Sequence, residues 1–174
     1  SPTGTSPPVL NSRPGASAVL YLYFDGAPTT TYPDWPTSNP GGNRFSVPHS
    51  GLNAAQMTTV WRRVAEDFMP FNINVTTQSS KYSAASVGSR MRILIGRTLP
   101  NYVGGAGLAL VGSFRTNAVT GFALSSNVPC WLEVNAYRDA SNDPSSFTDA
   151  ELPSLASNTT HEVGHTLSLE NAGA

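Results

Sequence analysis

The sequence predicts an α/β (α+β) domain: a twisted, mixed but mostly parallel sheet of about five strands, one backing helix, and one further helix near the chain's end. Three observations predict it. A dense β-type run, Ser17 to Phe24 (SAVLYLYF), precedes a helix-patterned stretch, and an alternating run, Phe71 to Thr77 (FNINVTT), follows that stretch. Strand, helix, strand in that order implies a right-handed crossover and parallel pairing. Further short β-type segments then give way to a second helical pattern that contains His161-Glu162-Val163-Gly164-His165.

The 174 residues suffice for one domain with a sizeable core. A net charge of −1 and the absence of a basic block exclude the electrostatic footprint of a nucleic-acid binder. No apolar run reaches the length of a membrane span. Charged residues make up 12%, about half the usual share, and Lys81 is the sole lysine. Ser, Thr, Asn, Gly and Pro fill the space, a composition that suits an extracellular protein. The first residues, Ser1-Pro2-Thr3, carry no charged-plus-apolar leader, as in a mature or trimmed product, so secretion is the expectation. The lone Cys130 lies between Pro129 and Trp131; it cannot form an intrachain disulfide and reads as a small buried hydrophobe.

Residues 1–16, rich in Pro, Gly and Ser, read as an extended arm or linker ahead of a domain covering 17–174. Ser17 to Phe24 is apolar on both faces and reads as a central strand, ended by the turn signal Asp25-Gly26. Ala27 to Ser50, punctuated by prolines and a Gly-Gly pair, reads as a long loop. His49 near its end reads as a surface or capping histidine in preference to a metal ligand. Asn53 and Gln56 fit a capping box, and Met57, Val60, Trp61, Val64 and Phe68 recur at helical spacing. That stripe reads as core, and the helix should stop before Pro70.

After the strand at Phe71 to Thr77, residues 78–89 read as a polar loop and Met91 to Ile95 as a short buried strand closed by Gly96. Gly104 to Phe114 is a glycine-rich run leading into a strand; its spacing fits neither a dinucleotide nor a phosphate loop. Gly121 to Ser125 and Cys130 to Asn135 are two more β-type segments. Helical pattern returns at Thr148 and runs, with a break expected at Pro153, to about Leu169. Asn74-Val-Thr76 and Asn158-Thr-Thr160 match the glycosylation pattern and read as chance matches.

Within the second helix, positions four apart share a face, so His161 and His165 can reach one metal ion. Glu162 can then reach a water at that ion. This is the H-E-x-x-H pattern of zinc hydrolases. Two of the three histidines in the chain fall inside it. Neutral imidazoles supply two nitrogen ligands to one zinc ion, and the glutamate is placed to act as a general base.

Taken in order, these elements resemble the N-terminal subdomain of the metzincin zinc endopeptidases, and more closely a group of secreted bacterial metzincin-like peptidases. The resemblance is carried by Tyr21-Leu-Tyr-Phe-Asp-Gly26, Val60-Trp61 with Val64-Ala-Glu-Asp-Phe68, and Pro70 to Thr77. Val111-Gly-Ser-Phe114 and His161 to Leu167 also carry it, so it covers most of residues 18–167 in patches. It implies that His161 and His165 are the first two zinc ligands and that Glu162 is the general base. It further implies that Leu108, Ala109, Leu110, Val111, Gly112 and Ser113 form an edge strand to which a peptide or protein substrate adds itself.

The chain also departs from that family. Ser168 stands where the family turns sharply on a glycine, and a left-handed serine carries a penalty. Asn171 stands at the third ligand position, with a neutral amide in place of imidazole or carboxylate. No methionine turn follows, and the C-terminal subdomain has no counterpart. Two readings therefore stand side by side: a zinc endopeptidase represented by its upper subdomain, or a non-catalytic extracellular module, structural or self-assembling, that retains a degenerate peptidase fold. In the second reading the N-terminal arm could pair with a neighbouring subunit's sheet edge.

Overall fold

The computed structural model describes residues 4–31, 44–98, 106–114, 128–137 and 147–169. Its centre is β1 (Ala18–Tyr23), whose middle residues are buried on both faces. β1 pairs in parallel with β4 (Ile73–Thr76) on one side and with β5 (Arg90–Gly96) on the other. β5 in turn pairs in parallel with β7 (Cys130–Glu133), and β6 (Gly107–Leu108) closes that end as an antiparallel strand. The resulting order is β4-β1-β5-β7-β6, a mixed, mostly parallel sheet of five strands. The chain thus has the α/β architecture that the strand–helix–strand order implied.

The crossover from β1 to β4 runs through α1 (Ala54–Asp67). Asn53 caps it in a reciprocal box: the Gln56 amide donates to Asn53 Oδ1 at 2.9 Å and the Asn53 amide to Gln56 Oε1 at 3.0 Å. Met57, Val60, Val64 and Phe68 are buried against Leu20, Leu22 and Ile93, with α3 (Leu152–Thr166) completing the same core. Trp61 reaches across to β4, where its indole N–H donates to the Val75 carbonyl at 2.9 Å. A smaller apolar cluster, centred on Leu94 and Trp131, fills the opposite face of the sheet.

The model corrects several sequence readings. The stretch read as one long loop contains an antiparallel pair, β2 (Ala27–Thr31) and β3 (Arg44–Val47). Pro28 misled, yet a two-stranded ribbon has only edges, where proline is tolerated. The sharp entry to β2 requires Gly26 at φ +78°, since an added Cβ would lie 2.5 Å from the His49 backbone nitrogen. Residues 79–84 form a short helix, α2 (Ser79–Ala84), in place of a loop; it buries no side chain fully and so leaves no apolar period to read. The edge strand expected over Leu108 to Ser113 spans only Gly107–Leu108, and residues 111–114 form a turn. α3 is not broken at Pro153, because that residue lies in the first turn, where no intrahelical amide bond is lost. The segment Gly121 to Ser125 lies outside the described residues.

The N-terminal arm runs along the outer edge of β4. Its Ser12 amide donates to the Val75 carbonyl at 3.0 Å, and the Thr77 amide donates back to the Leu10 carbonyl at 3.2 Å. Asn74 is buried beneath it, its Oδ1 accepting from the Arg13 amide at 3.1 Å and its Nδ2 donating to Asn11 at 3.0 Å. That first glycosylation pattern is therefore closed to modification in the folded chain. In the second, Asn158 Nδ2 donates to the Tyr137 hydroxyl at 2.5 Å.

Candidate metal centre

α3 sets the site, and its own start is well fixed. Thr148 and Glu151 form a capping box around a 3-10 turn (Asp149–Glu151) that leads directly into the helix. Leu155, Thr159 and Val163 then point into the core at helical spacing, and the buried Thr159 hydroxyl is satisfied by the Leu155 carbonyl at 2.8 Å. Thr160 ties the helix to α1 through Asp67 at 2.7 Å. With that face buried, His161 is left exposed and Glu162 and His165 half-buried.

The two imidazoles converge. Their Nε2 atoms lie 3.0 Å apart and the rings meet edge to face. Two nitrogens bound to one tetrahedral zinc ion stand about 3.3 Å apart, given metal–nitrogen distances near 2.0–2.1 Å, so a small ring adjustment is all that pair needs. His165 Nδ1 faces the Leu169 carbonyl at 2.8 Å, a contact that places the proton on Nδ1 and turns the Nε2 lone pair outward. The donor set thus fits two positions of a zinc site. Among the described residues, no group of three or more His, Cys, Asp or Glu side chains gathers around a metal position. Asn171, the expected third position, lies outside the described residues. His49 is committed elsewhere: its Nδ1 accepts from the Gly51 amide at 2.9 Å and its Nε2 faces the Thr5 carbonyl at 3.0 Å.

The Leu169 carbonyl is where it is because the helix ends abruptly. The Leu169 amide bonds back to the Gly164 carbonyl and the Ser168 amide to that of His165, both at 3.0 Å, the paired bonds of a Schellman motif. Ser168 makes the turn at φ +70°. The sharp turn is therefore made without the glycine the metzincins use, at the steric penalty that a Cβ brings to this region. Ser168→Gly is expected to raise stability by about 0.5–1 kcal/mol, part of the relief being offset by the glycine's greater freedom when unfolded. Chemical denaturation measures it; a variant less stable than the parent would show the serine to be favoured there.

The sheet edge comes to the motif from the other side. Glycine at position 107 of β6 admits Glu162: a Cβ there would lie 2.8 Å from Glu162 Cγ and 3.1 Å from the Trp131 carbonyl oxygen. The Gly112 and Phe114 amides then donate, at 2.9 Å each, to the His165 and Thr166 carbonyls at the end of α3. Of the residues expected to form the edge strand, Leu108 lies in β6, while Ala109 and Leu110 lie beyond its end, outside any strand. Val111, Gly112 and Ser113 lie in the turn that follows, where Gly112, with Phe114, fastens the chain to the motif helix. Gly107→Ala is expected to cost about 1–3 kcal/mol of stability, as overpacking against fixed backbone does, and to displace Glu162. Denaturation and a side-chain probe of Glu162 would register both.

Burial pushes the Glu162 carboxyl up from its ordinary range, and His165 and His161 pull it partly back. The buried Cys130 thiol is likewise pushed up, chiefly by desolvation and then by the Glu162 charge, in keeping with an inert core residue. Gly107, Leu169 and Tyr137, whose hydroxyl also lies within the field of Glu162, were not singled out by sequence reasoning. The glycine run at 104–107 was the one available signal for Gly107.

No family model, curated protein or solved structure matches the chain. No helix among the described residues is long and apolar enough to cross a membrane.

Proposed function

We propose that the chain is the upper part of a zinc-dependent endopeptidase of metzincin type, acting outside the cell on peptide or protein substrates. The observation that carries this reading is the convergence of His161 and His165 at 3.0 Å, with Glu162 beside them and packed close to β6, the last strand of the sheet among the described residues. His161 and His165 would hold the ion, with the position at Asn171 as a third contact. Zinc, when bound, supplies Lewis-acid polarisation of water and of the scissile carbonyl. Glu162 takes the proton of the attacking water and hands it to the leaving amine; a carboxyl raised by burial is suited to both transfers near neutral pH. The short strand β6 (Gly107–Leu108) offers main-chain groups to a peptide laid beside it. The lysine-poor, low-charge composition supports an extracellular setting, and the resemblance to secreted bacterial peptidases implies a bacterial one.

Metal analysis and a protease assay test the proposal together. Near-stoichiometric zinc that is lost in His161→Ala and His165→Ala, with casein hydrolysis that is lost in Glu162→Gln, is the expected result. Protein that stays metal-free in zinc-replete medium would overturn it. It would leave the alternative, a non-catalytic extracellular module built on the same scaffold.

A further inference from the structure

The polar residues that follow β5 and β7, together with a segment held at the end of β1, line one cavity of about 180 Å³. Beyond β1, the Ser50 amide donates to the Phe24 carbonyl at 2.9 Å, which holds Ser50 and Gly51 at that strand's end. Arg97 is the first residue after β5. Asn135 lies in the 3-10 turn after β7 (Val134–Tyr137), and its backbone amide donates to the Arg97 carbonyl at 3.1 Å. Gln56, in the first turn of α1, also lines the cavity. The chain leaves β1 for β4 on one side and β5 for β7 on the other, so the strand order reverses between β1 and β5. The crevice outside the carboxyl ends of the strands at such a reversal is where open α/β sheets hold ligands.

The side chain of Asn135 points to a ligand independently of that placement. It is 3% exposed, and its Oδ1, shut off from solvent, has no hydrogen-bond donor among the described residues. A buried amide oxygen without a donor costs stability, and an N–H or O–H brought by a ligand relieves that cost. Arg97 is exposed, and no ion pair or side-chain hydrogen bond engages its guanidinium among the described residues. That group lies over Gly51, where an added Cβ would stand 3.4 Å from Cζ and Nε, and its planar fork matches a carboxylate. The buried Ser50 hydroxyl accepts from the Leu52 amide at 3.3 Å, which leaves its own proton to donate.

Arg97 and the positive end of α1 disfavour a cation and favour an anion. Asp149, which accepts from Gln56 Nε2 at 3.0 Å, opposes a second negative charge. An orphan acceptor and a guanidinium in one cavity therefore call for a donor and a single carboxylate in one molecule. The volume equals about six waters at roughly 30 Å³ each, room for about that many non-hydrogen atoms. We propose that this cavity binds a small carboxylate with a hydrogen-bond donor on the adjacent carbon, as in a 2-hydroxy acid, an α-amino acid or the last residue of a peptide. Arg97 holds the carboxylate and Asn135 Oδ1 accepts from the donor. The site shares no lining residue with the histidine motif and depends on neither metal nor hydrolysis.

NMR titration of the isotope-labelled full chain with glycolate, L-lactate, glycine and L-alanine tests this. At least one should saturably shift the Asn135 side-chain amide and the backbone signals around it. Arg97→Gln should weaken that binding at least about tenfold, the order expected when a charged hydrogen-bonding partner is lost. Arg62→Gln, which removes an equal charge from the exposed face of α1, should bind as the parent does. Acetate, which lacks the donor, should bind at least about tenfold more weakly than glycolate. Asn135→Leu should abolish binding while the ligand-free chain melts higher, because an apolar side chain of similar size replaces a buried amide that lacks a donor. Triglycine and triglycinamide separate the sources: binding of triglycine alone identifies a peptide end, and binding of neither identifies the free acid. Absence of saturable shifts with every carboxylate would overturn the proposal, as would binding that survives Arg97→Gln or acetate that binds as tightly as glycolate. So would an Asn135→Leu chain that melts lower and still binds.

Discussion

Glu162→Gln is expected to lower peptide hydrolysis by about 10²–10⁴-fold, the usual contribution of a positioned general base, and to raise the thermal stability of the metal-free chain at neutral pH. Both effects follow from one environment. The side chain is half-buried against Gly107, and desolvation pushes its carboxyl up, with His165 and His161 only partly compensating. A carboxyl with a higher pKa in the fold than in the unfolded chain binds its proton more tightly when folded. Its contribution to stability is therefore fully present below the ordinary glutamate value, about 4.3, and is lost as pH rises through the raised value. Glutamine keeps nearly the same shape and cannot ionise, so it escapes that loss. Melting curves of chelator-treated protein should show parent and variant closest near about pH 4 and diverging toward neutrality, the variant melting higher. A difference that is constant with pH would remove desolvation as the cause, and unimpaired hydrolysis in the variant would remove Glu162 from the chemistry.

The order of β1, α1, β4 and β5 was legible because each carries a strong period: both faces of β1 are apolar, and α1 shows its core stripe between a capping box and Pro70. The motif histidines were legible because helical spacing alone brings positions four apart together. Less was legible where tertiary contacts override local signals. α2 owes its place to Tyr82 lying on Tyr21, a long-range contact with no periodic trace. The extent of β6 is set by the pull of the Gly112 and Phe114 amides toward the carbonyls of α3, with the chain leaving the sheet after Leu108. Ser168 is the sharpest case. The Cβ argues against a left-handed serine, yet the backbone hydrogen bonds from Ser168 to His165 and from Leu169 to Gly164 fix the turn regardless.

Removing residues 1–13 is expected to change association more than stability. The arm's backbone bonds to β4, the Arg13 guanidinium bonds to the carbonyls of Phe71 and Met69 at 2.9 and 3.2 Å, and the side-chain bonds of Asn74 and Thr76 each contribute about 0.5–1.5 kcal/mol net. Ordering the arm costs about 1–2 kcal/mol per residue, a sum of similar size, so the two largely offset and the truncated chain should still fold. What the deletion uncovers is the outer edge of β4: the Val75 amide, which now donates to Ser12 Oγ at 2.8 Å, and the Val75 carbonyl, which loses the Ser12 amide and keeps only the Trp61 indole of its two donors. An edge with open donors and acceptors recruits another strand. Light scattering across a concentration series should show the truncated chain associating where the full chain does not. A synthetic peptide of residues 4–16 should bind it and reverse the association, since strand addition restores the lost pairing. With the arm in place this edge is closed, which argues against assembly through β4 and, among the described residues, leaves the short β6 edge beside Glu162 as the place for an added strand. A truncated chain that neither associates nor takes up the peptide would show that the arm is not the seal of β4.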